Sequence, residues 1–461
     1  MSQTHSLKDA THYAQEHSTA PESSALSPLL RDFIPRLITH RRALHAMAET
    51  GFNEWQTLNY LVAKLSPLKS ATLSFTDLRE CEHIEKRGGF KLSDLGVPLP
   101  TVKHIVLGHE MVIPGLCVSF KPQQEVPEHS GTQGQVVALR VDMDALPIEE
   151  SRDPDHKPAA LSFNAVNGCM HACGHDGHMA VALTLAELLD AHSELLTASG
   201  LGELRLIFQG AEEGCRGGRI FANSSFLDNV DCLYAFHLGM GVPPHCVAPT
   251  VTHFLPTLKF NLSFTGRKAH AGHPGEGVNA LHALCSFITE AMGYLKPEAG
   301  RLINFANLVS RGARNVIPDR ASVEGELRAL TLAQLHGFEA ELNALLDNTR
   351  NHFEGSTYHF TPAGFATEIK SDPELTDKIR AAAMESGLEI LPAFKFSASE
   401  DASLLIDRVQ RHGGKGAYFV VGAKLSAPHH HSAFDFDESA LSDALKVCLQ
   451  LLLKTRVRGV T

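Results

Sequence analysis

Short apolar runs that end in polar, acidic or histidine residues recur between stretches of helical period, and this alternation limits the folds open to the chain. VVALRVDMDAL (136–146) is β-rich and carries Asp142 and Asp144, ELRLIFQ (203–209) ends at Gln209, and CLYAFH (232–237) ends at His237. Between 178 and 196, Val181, Leu183, Leu185, Leu188 and Leu189 follow a helical period. Strand-length runs alternating with helices predict an α/β domain with a mixed, largely parallel sheet. Ligands of such sheets bind beyond the carboxyl ends of the strands, so the chemistry is expected just after Asp142, Gln209 and Phe236.

The texture changes near 252. LKFNLSFTG (258–266), INFANLVS (303–310), ASVEGELRAL (321–330) and TYHFTPA (357–363) read as strands, with amphipathic helices at 278–295 and 332–349. The order strand–helix–strand–strand–helix–strand is the split βαβ pattern of a ferredoxin-like α+β unit. We therefore divide the chain into a flexible N-terminal segment (1–28), an α/β domain (29–251 and 367–461) whose strand ends are where chemistry is expected, and an inserted domain (252–366). Residues 30–65 read as helical with a break near Gly51. Residues 77–132 read as an insertion of loops around short elements, and the C-terminal part as helix, strand (AYFVVG) and a last helix ending near Lys454.

A chain of 461 residues, 43% apolar and 20% charged, supports more than one packed domain and excludes a disordered polymer. Its 41 Lys and Arg against 52 Asp and Glu give a net charge of −11, which argues against nucleic acid as a partner. No apolar run reaches the ~18–20 residues of a membrane span, and the first residues lack the apolar core of a signal peptide. Nine scattered cysteines, an odd number, read as reduced thiols in a cytoplasmic protein.

Five segments hold donors for chemistry among the 27 histidines. CMHACGHDGHM (169–179) offers Cys169, His171, Cys173, His175, Asp176 and His178, the ligand types of a divalent transition metal, or else a His-rich loop with structural cysteines. FQGAEEGCRGG (208–218) places Glu212 and Glu213 on a turn, where one carboxylate can bind metal while the other serves as general base; alone, it reads as a solvated acidic turn. His237 ends a strand, APHHHSAFDFDE (427–438) carries three consecutive histidines, and His270 and His273 sit in a Gly-rich loop; each also has a purely structural reading. Their coincidence at successive strand ends favours a metal-dependent hydrolase.

The same segments, in this order, resemble the M20 metallopeptidase family. RRALHAMAETGFNE, RVDMDALP, MHACGHDGHMA, FQGAEEG, FHLG, GRKAHAG, RNVIP, SASEDAS and HHHSAFDFDE look like its landmarks over roughly residues 30–455. Within it they are similar to the amidohydrolase branch that cleaves N-acyl amino acids such as aminobenzoyl-glutamate and indoleacetyl-aspartate. The resemblance implies two divalent ions per chain, Mn²⁺ favoured and Zn²⁺ the alternative. It implies Cys173, His175, Glu213, His237 and His430 as ligands, with His429 and His431 beside His430 as alternatives. Glu212 is implied as general base and His270 as an oxyanion-holding residue delivered by a partner chain. Asn315 and Arg328 are implied to hold the substrate carboxylate. Two departures stand out: Gly210 where the family usually has Pro, and a His in HSAF where it usually has Asn.

The expected activity is hydrolysis of an acyl- or aroyl-amino acid by a homodimer, or by a heterodimer with a related subunit. Arg328 also reads as a structural ion pair, and Asp144 as a support beside the site. A dimetal aminopeptidase or dipeptidase is the alternative enzyme. A silent metal-binding subunit is the alternative outside enzymes, and retention of both glutamates disfavours it.

Overall fold

The computed structural model describes residues 27–95, 102–122 and 134–453. The N-terminal segment expected at 1–28 lies outside these except for its last two residues. Among the described residues, no helix is long and apolar enough to cross a membrane.

The larger of two main sheets has nine strands. At its centre Val136–Asp142 runs parallel between Glu203–Gln209 and Cys232–Leu238, and Lys415–Val421 lies parallel beside the last of these. Both faces are covered, which is why these strands read as nearly unbroken apolar runs. Val137, Leu139 and Val141 pack into a core with the helices Ile34–Ala46, His175–Ala191 and Ser439–Leu453. Ala138 faces the opposite core, which holds Leu405 and Ile406 of the helix Ala402–Arg411.

Helix His175–Ala191 is buried almost all round. It starts abruptly at Gly174, whose φ of 94° is a left-handed conformation that residues with a Cβ rarely adopt. That entry sets Cys173 and His175 on either side of a sharp bend.

The reading of 77–132 as loops around short elements needs correction. The segment holds the helix Leu78–Gly88 and the 12-residue strand His109–Phe120, which joins the large sheet between Ala71–Asp77 and Glu203–Gln209. Pro114-Gly115 concealed the strand, because Pro is uncommon inside sheets. The pairing jumps from Phe75–Leu116 to Asp77–Met111, and this bulge takes up the proline. Residues 96–101 and 123–133 of that stretch lie outside the described set.

The second sheet has four antiparallel strands, with Thr257–Thr265 and Arg320–Arg328 in the middle and Leu302–Val309 and Thr357–Ala366 at the edges. Leu258, Phe260, Leu262 and Phe264 point to the helices Ala280–Ala291 and Leu332–His352. Asn279 and Thr331 cap those helices, accepting the N–H groups of His282 and Gln334. Lys259, Asn261 and Ser263 alternate onto the uncovered face.

Candidate metal centre and active site

The turn after Glu203–Gln209 is held by two buried carboxylates. Asp144, just past the neighbouring strand, accepts the backbone N–H of Glu212 through Oδ1 at 2.8 Å and that of Glu213 through Oδ2 at 2.9 Å. Glu54 Oε1 accepts the N–H of Ala211 at 2.7 Å. The glycine at 210 leaves room for this grip: a Cβ there would stand 3.0 Å from Glu54 Oε1 and 2.9 Å from Pro114 O.

Two imidazoles are oriented by backbone carbonyls. His175 Nδ1 donates to Asp144 O at 2.8 Å, and His237 Nδ1 donates to Leu238 O at 2.7 Å. With the proton on Nδ1, each ring turns the lone pair of Nε2 inward. His237 Nε2 lies 3.4 Å from Cys173 Sγ, and His175 Nε2 lies 4.0 Å from Glu212 Oε2. Donor atoms of Cys173, His175 and Glu213 all fall within 4.8 Å of one another. Cys173 is thus common to both imidazoles and the carboxylate.

His430 Nε2 stands 3.5 Å from Glu213 Oε1, an oxygen that is buried without a hydrogen-bond partner. Two donors each ~2.1 Å from one tetrahedral ion stand roughly 3.4 Å apart. His429 also lies near Cys173 and His237, but its Nε2 already accepts the Met240 N–H at 3.1 Å. The neutral ring then carries its proton on Nδ1 and offers no lone pair. His431 Nδ1 is taken by the Ala433 N–H. His430 has φ 65°, and its own N–H donates to Ala172 O at 2.8 Å, beside Cys173. Such strain costs ~1–3 kcal/mol and collects at functional positions.

The cluster is rich in acids. Burial pushes the Cys173 thiol and the Glu212 carboxyl well up, and lifts Glu213 to about 7; neighbouring acids add to all three. A thiol and two carboxyls driven towards their neutral forms in one buried place fit a site built for cations, whose charge reverses those shifts. Cys173, Glu212, Glu213, His237, His430 and Arg328 line one cleft of about 280 Å³.

Sequence reasoning missed part of the surroundings. Glu400 lies in the same cleft, and donor atoms of Glu212, Glu400 and Asp401 come within 4.8 Å of one another. Buried Arg140 joins these acids, with Nη1 2.9 Å from Asp142 Oδ2 and 3.2 Å from Glu400 Oε1, and Nη2 3.0 Å from Asp401 Oδ1. The available signal was an arginine in the middle of an apolar strand, which demands buried anions.

The structure brings together Cys173, His175, Glu212, Glu213, His237, His430 and Arg328, but not the other two residues. His270 and Asn315 are exposed, and their loops are tied by the Ala271 N–H to Asn315 O bond at 2.9 Å. Asn315 and Arg328, expected to hold the substrate carboxylate, lie towards opposite ends of one strand. Asn315 precedes the strand Arg320–Arg328 and Arg328 ends it, and nine residues at ~3.3 Å per step put the strand's ends roughly 26 Å apart.

Thiolate, imidazole and carboxylate donors at the strand ends of an α/β sheet, with a second glutamate beside them, make this a metal-dependent hydrolase. The model of peptidase family M20/M25/M40 matches residues 138–454, and the chain belongs to that family. It is 32% identical over 437 residues to the indole-3-acetyl-aspartic acid hydrolase of Enterobacter agglomerans, covering 91% of this chain and 96% of that one. It is 32% identical over 456 residues to one of the subunits of the p-aminobenzoyl-glutamate hydrolase of Escherichia coli K12, covering 93% and 98%. The crystal structure of an aminobenzoyl-glutamate utilization protein from Klebsiella pneumoniae superposes with a TM-score of 0.69 at 25% identity, over 93% of this chain and 98% of that one.

Proposed function

We propose that the chain hydrolyses the amide bond of an N-acyl amino acid, an acyl- or aroyl-glutamate or -aspartate such as aminobenzoyl-glutamate. The observation that carries this reading is the pair at the strand end: Glu213 faces the donor cluster while Glu212, its neighbour, points at His175 Nε2. Relatives named for two acyl conjugates of acidic amino acids support the substrate class.

Cys173, His175, Glu213, His237 and His430 would hold two divalent ions, Mn²⁺ favoured over Zn²⁺. When bound, such ions polarise the amide carbonyl and lower the pKa of water towards neutrality. Glu212 takes the proton of the attacking water and returns it to the leaving amine. Its place beside Glu400 and Asp401 keeps its proton affinity high enough for that work. Arg328 receives the amino acid's α-carboxylate with its planar fork.

His270 and Asn315 complete the site from the other chain of a dimer. The unit 252–366 serves as the dimerisation domain, and its partner is a second copy of this chain or a related one. His270 of the partner subunit would then donate to the oxyanion. The free thiols support a cytoplasmic location.

An aminopeptidase or dipeptidase would need an anion to hold a free ammonium. Lys259 and Arg328 suit a carboxylate, which acyl amino acids and dipeptides both carry, and Glu400 lies in the same cleft, so the choice between them falls to the substrates turned over. A panel of N-acyl-glutamates, N-acyl-aspartates and dipeptides, run with Mn²⁺ and with Zn²⁺, tests the reading. Turnover of dipeptides but of no acyl amino acid overturns it.

A further inference from the structure

The uncovered face of the smaller sheet presents a second cation to the cleft. Register places Lys259 opposite Glu326, and Arg328 follows on the same face of the next strand. Lys259 Nζ and Arg328 Nη2 both lie 3.0 Å from one oxygen, Glu326 Oε1. Among the described residues no other carboxylate lies within ion-pair distance of either cation, so the two share a single close anion. Both side chains are 29% exposed, and both line the cleft that holds Cys173, Glu212 and His430. Lys259 also borders an adjoining hollow lined by Arg216, Asn304 and Glu324. A half-buried cation that shares its close anion can still gain from a second one.

We propose that Lys259 selects the amino acid: it receives the side-chain carboxylate of a dicarboxylic residue while Arg328 receives the α-carboxylate. The chemistry of the two cations fits this division. A rigid guanidinium fork matches one carboxylate held at a fixed angle, whereas an ammonium on a flexible stem follows a carboxylate whose reach differs between aspartate and glutamate. Glu326 ties both cations at their starting positions. A neutral side chain in the same place gives Lys259 no anion beyond the one it shares with Arg328. The inference rests on the hydrolase reading above and adds the residue that sets its specificity.

The test compares kcat/KM on N-benzoyl-glutamate and N-benzoyl-glutamine, which differ only in the terminal carboxylate and carboxamide. Wild type is expected to prefer the glutamate. Lys259→Met should reduce that preference ~10- to 100-fold, the size of a charge-assisted hydrogen bond, chiefly through KM. Lys259→Arg should keep most of it, while Arg328→Met should lose both substrates together. Metal content and circular dichroism confirm that each variant folds. A wild type that cleaves both substrates equally, or a Lys259→Met variant with unchanged preference, overturns the role of Lys259 and leaves the hydrolase reading standing. A wild type that cleaves no acyl amino acid overturns the hydrolase reading itself.

Discussion

Asp144 Oδ2 accepts the backbone N–H of Glu213 at 2.9 Å, so a residue on one strand end sets the direction of a proposed ligand on the next. The other oxygen does the same for Glu212. Asp144→Ala would leave two N–H groups without their acceptor, at ~1–3 kcal/mol each. Metal affinity is expected to fall ~10- to 100-fold while the fold survives. Titration of apoprotein with Mn²⁺, followed by calorimetry, measures this; unchanged affinity means the turn holds its shape without Asp144.

The two glutamates should separate by readout. Glu212→Gln keeps shape but cannot take a proton, so kcat should drop roughly 10²–10⁴-fold at near-normal metal content. Glu213→Gln should instead lose metal. Elemental analysis beside steady-state rates distinguishes them, and wild-type turnover in both would remove the assignment.

The histidine run makes a one-residue prediction. His430→Ala should weaken one ion by roughly tenfold or more, as loss of a ligand demands. His429→Ala should retain both ions, because the Met240 N–H occupies its Nε2. The reverse pattern in metal stoichiometry would transfer the ligand role to His429.

Complementation tests the dimer. His270→Ala should abolish activity without loss of metal, and so should Glu212→Gln. Co-expressed, the two inactive chains form hybrids in which one site has both residues intact. Partial recovery of activity is expected, and none despite proven hybrids would mean that His270 acts within its own chain or not at all.

A pH prediction comes from the joint between the helix Ile34–Ala46 and the start of the helix Ser439–Leu453. Burial alone would raise the Glu438 carboxyl, but hydrogen bonds from Arg42 and Lys157 and the charge of Arg41 bring it to about 2. A depressed carboxylate adds stability that is present above the unfolded-state pKa, near 4.5, and is lost as pH falls through the folded-state value. Glu438→Gln should therefore lower the denaturation midpoint by a constant amount above about pH 5. The gap should close towards pH 2. A gap independent of pH would show that packing, not charge, makes the difference.

Much of this was legible because the parallel strands are buried on both faces and so stand out as apolar runs, as with ELRLIFQ. The split βαβ order of 252–366 was legible from alternation on one set of strands and helical period on another. Strand His109–Phe120 was hidden because a bulge accommodates Pro114, and local propensity carries no trace of a bulge. Lys259 was hidden for a different reason. Nothing in LKFNLSFTG says that its lysine faces Arg328 across one glutamate, since cross-strand register is a property of the pairing. Glu400 and Arg140 stand in recognisable segments, yet their meeting depends on elements far apart in the chain.

The proposed metal donors are themselves far apart in order of synthesis. Arg41, fully buried, binds Asp176 at 2.8 Å and Asp435 at 2.6 Å, pinning the start of the helix His175–Ala191 to the segment that carries His430. From Cys173 to His430 is 430 − 173 = 257 residues. At ~5–20 residues per second, a ribosome takes on the order of 10–50 s to cover that interval. For that time a growing chain holds Cys173, and later His175, Glu213 and His237, with no His430 to close the set. The thiol proposed as a ligand is thus made long before the last of its fellow donors.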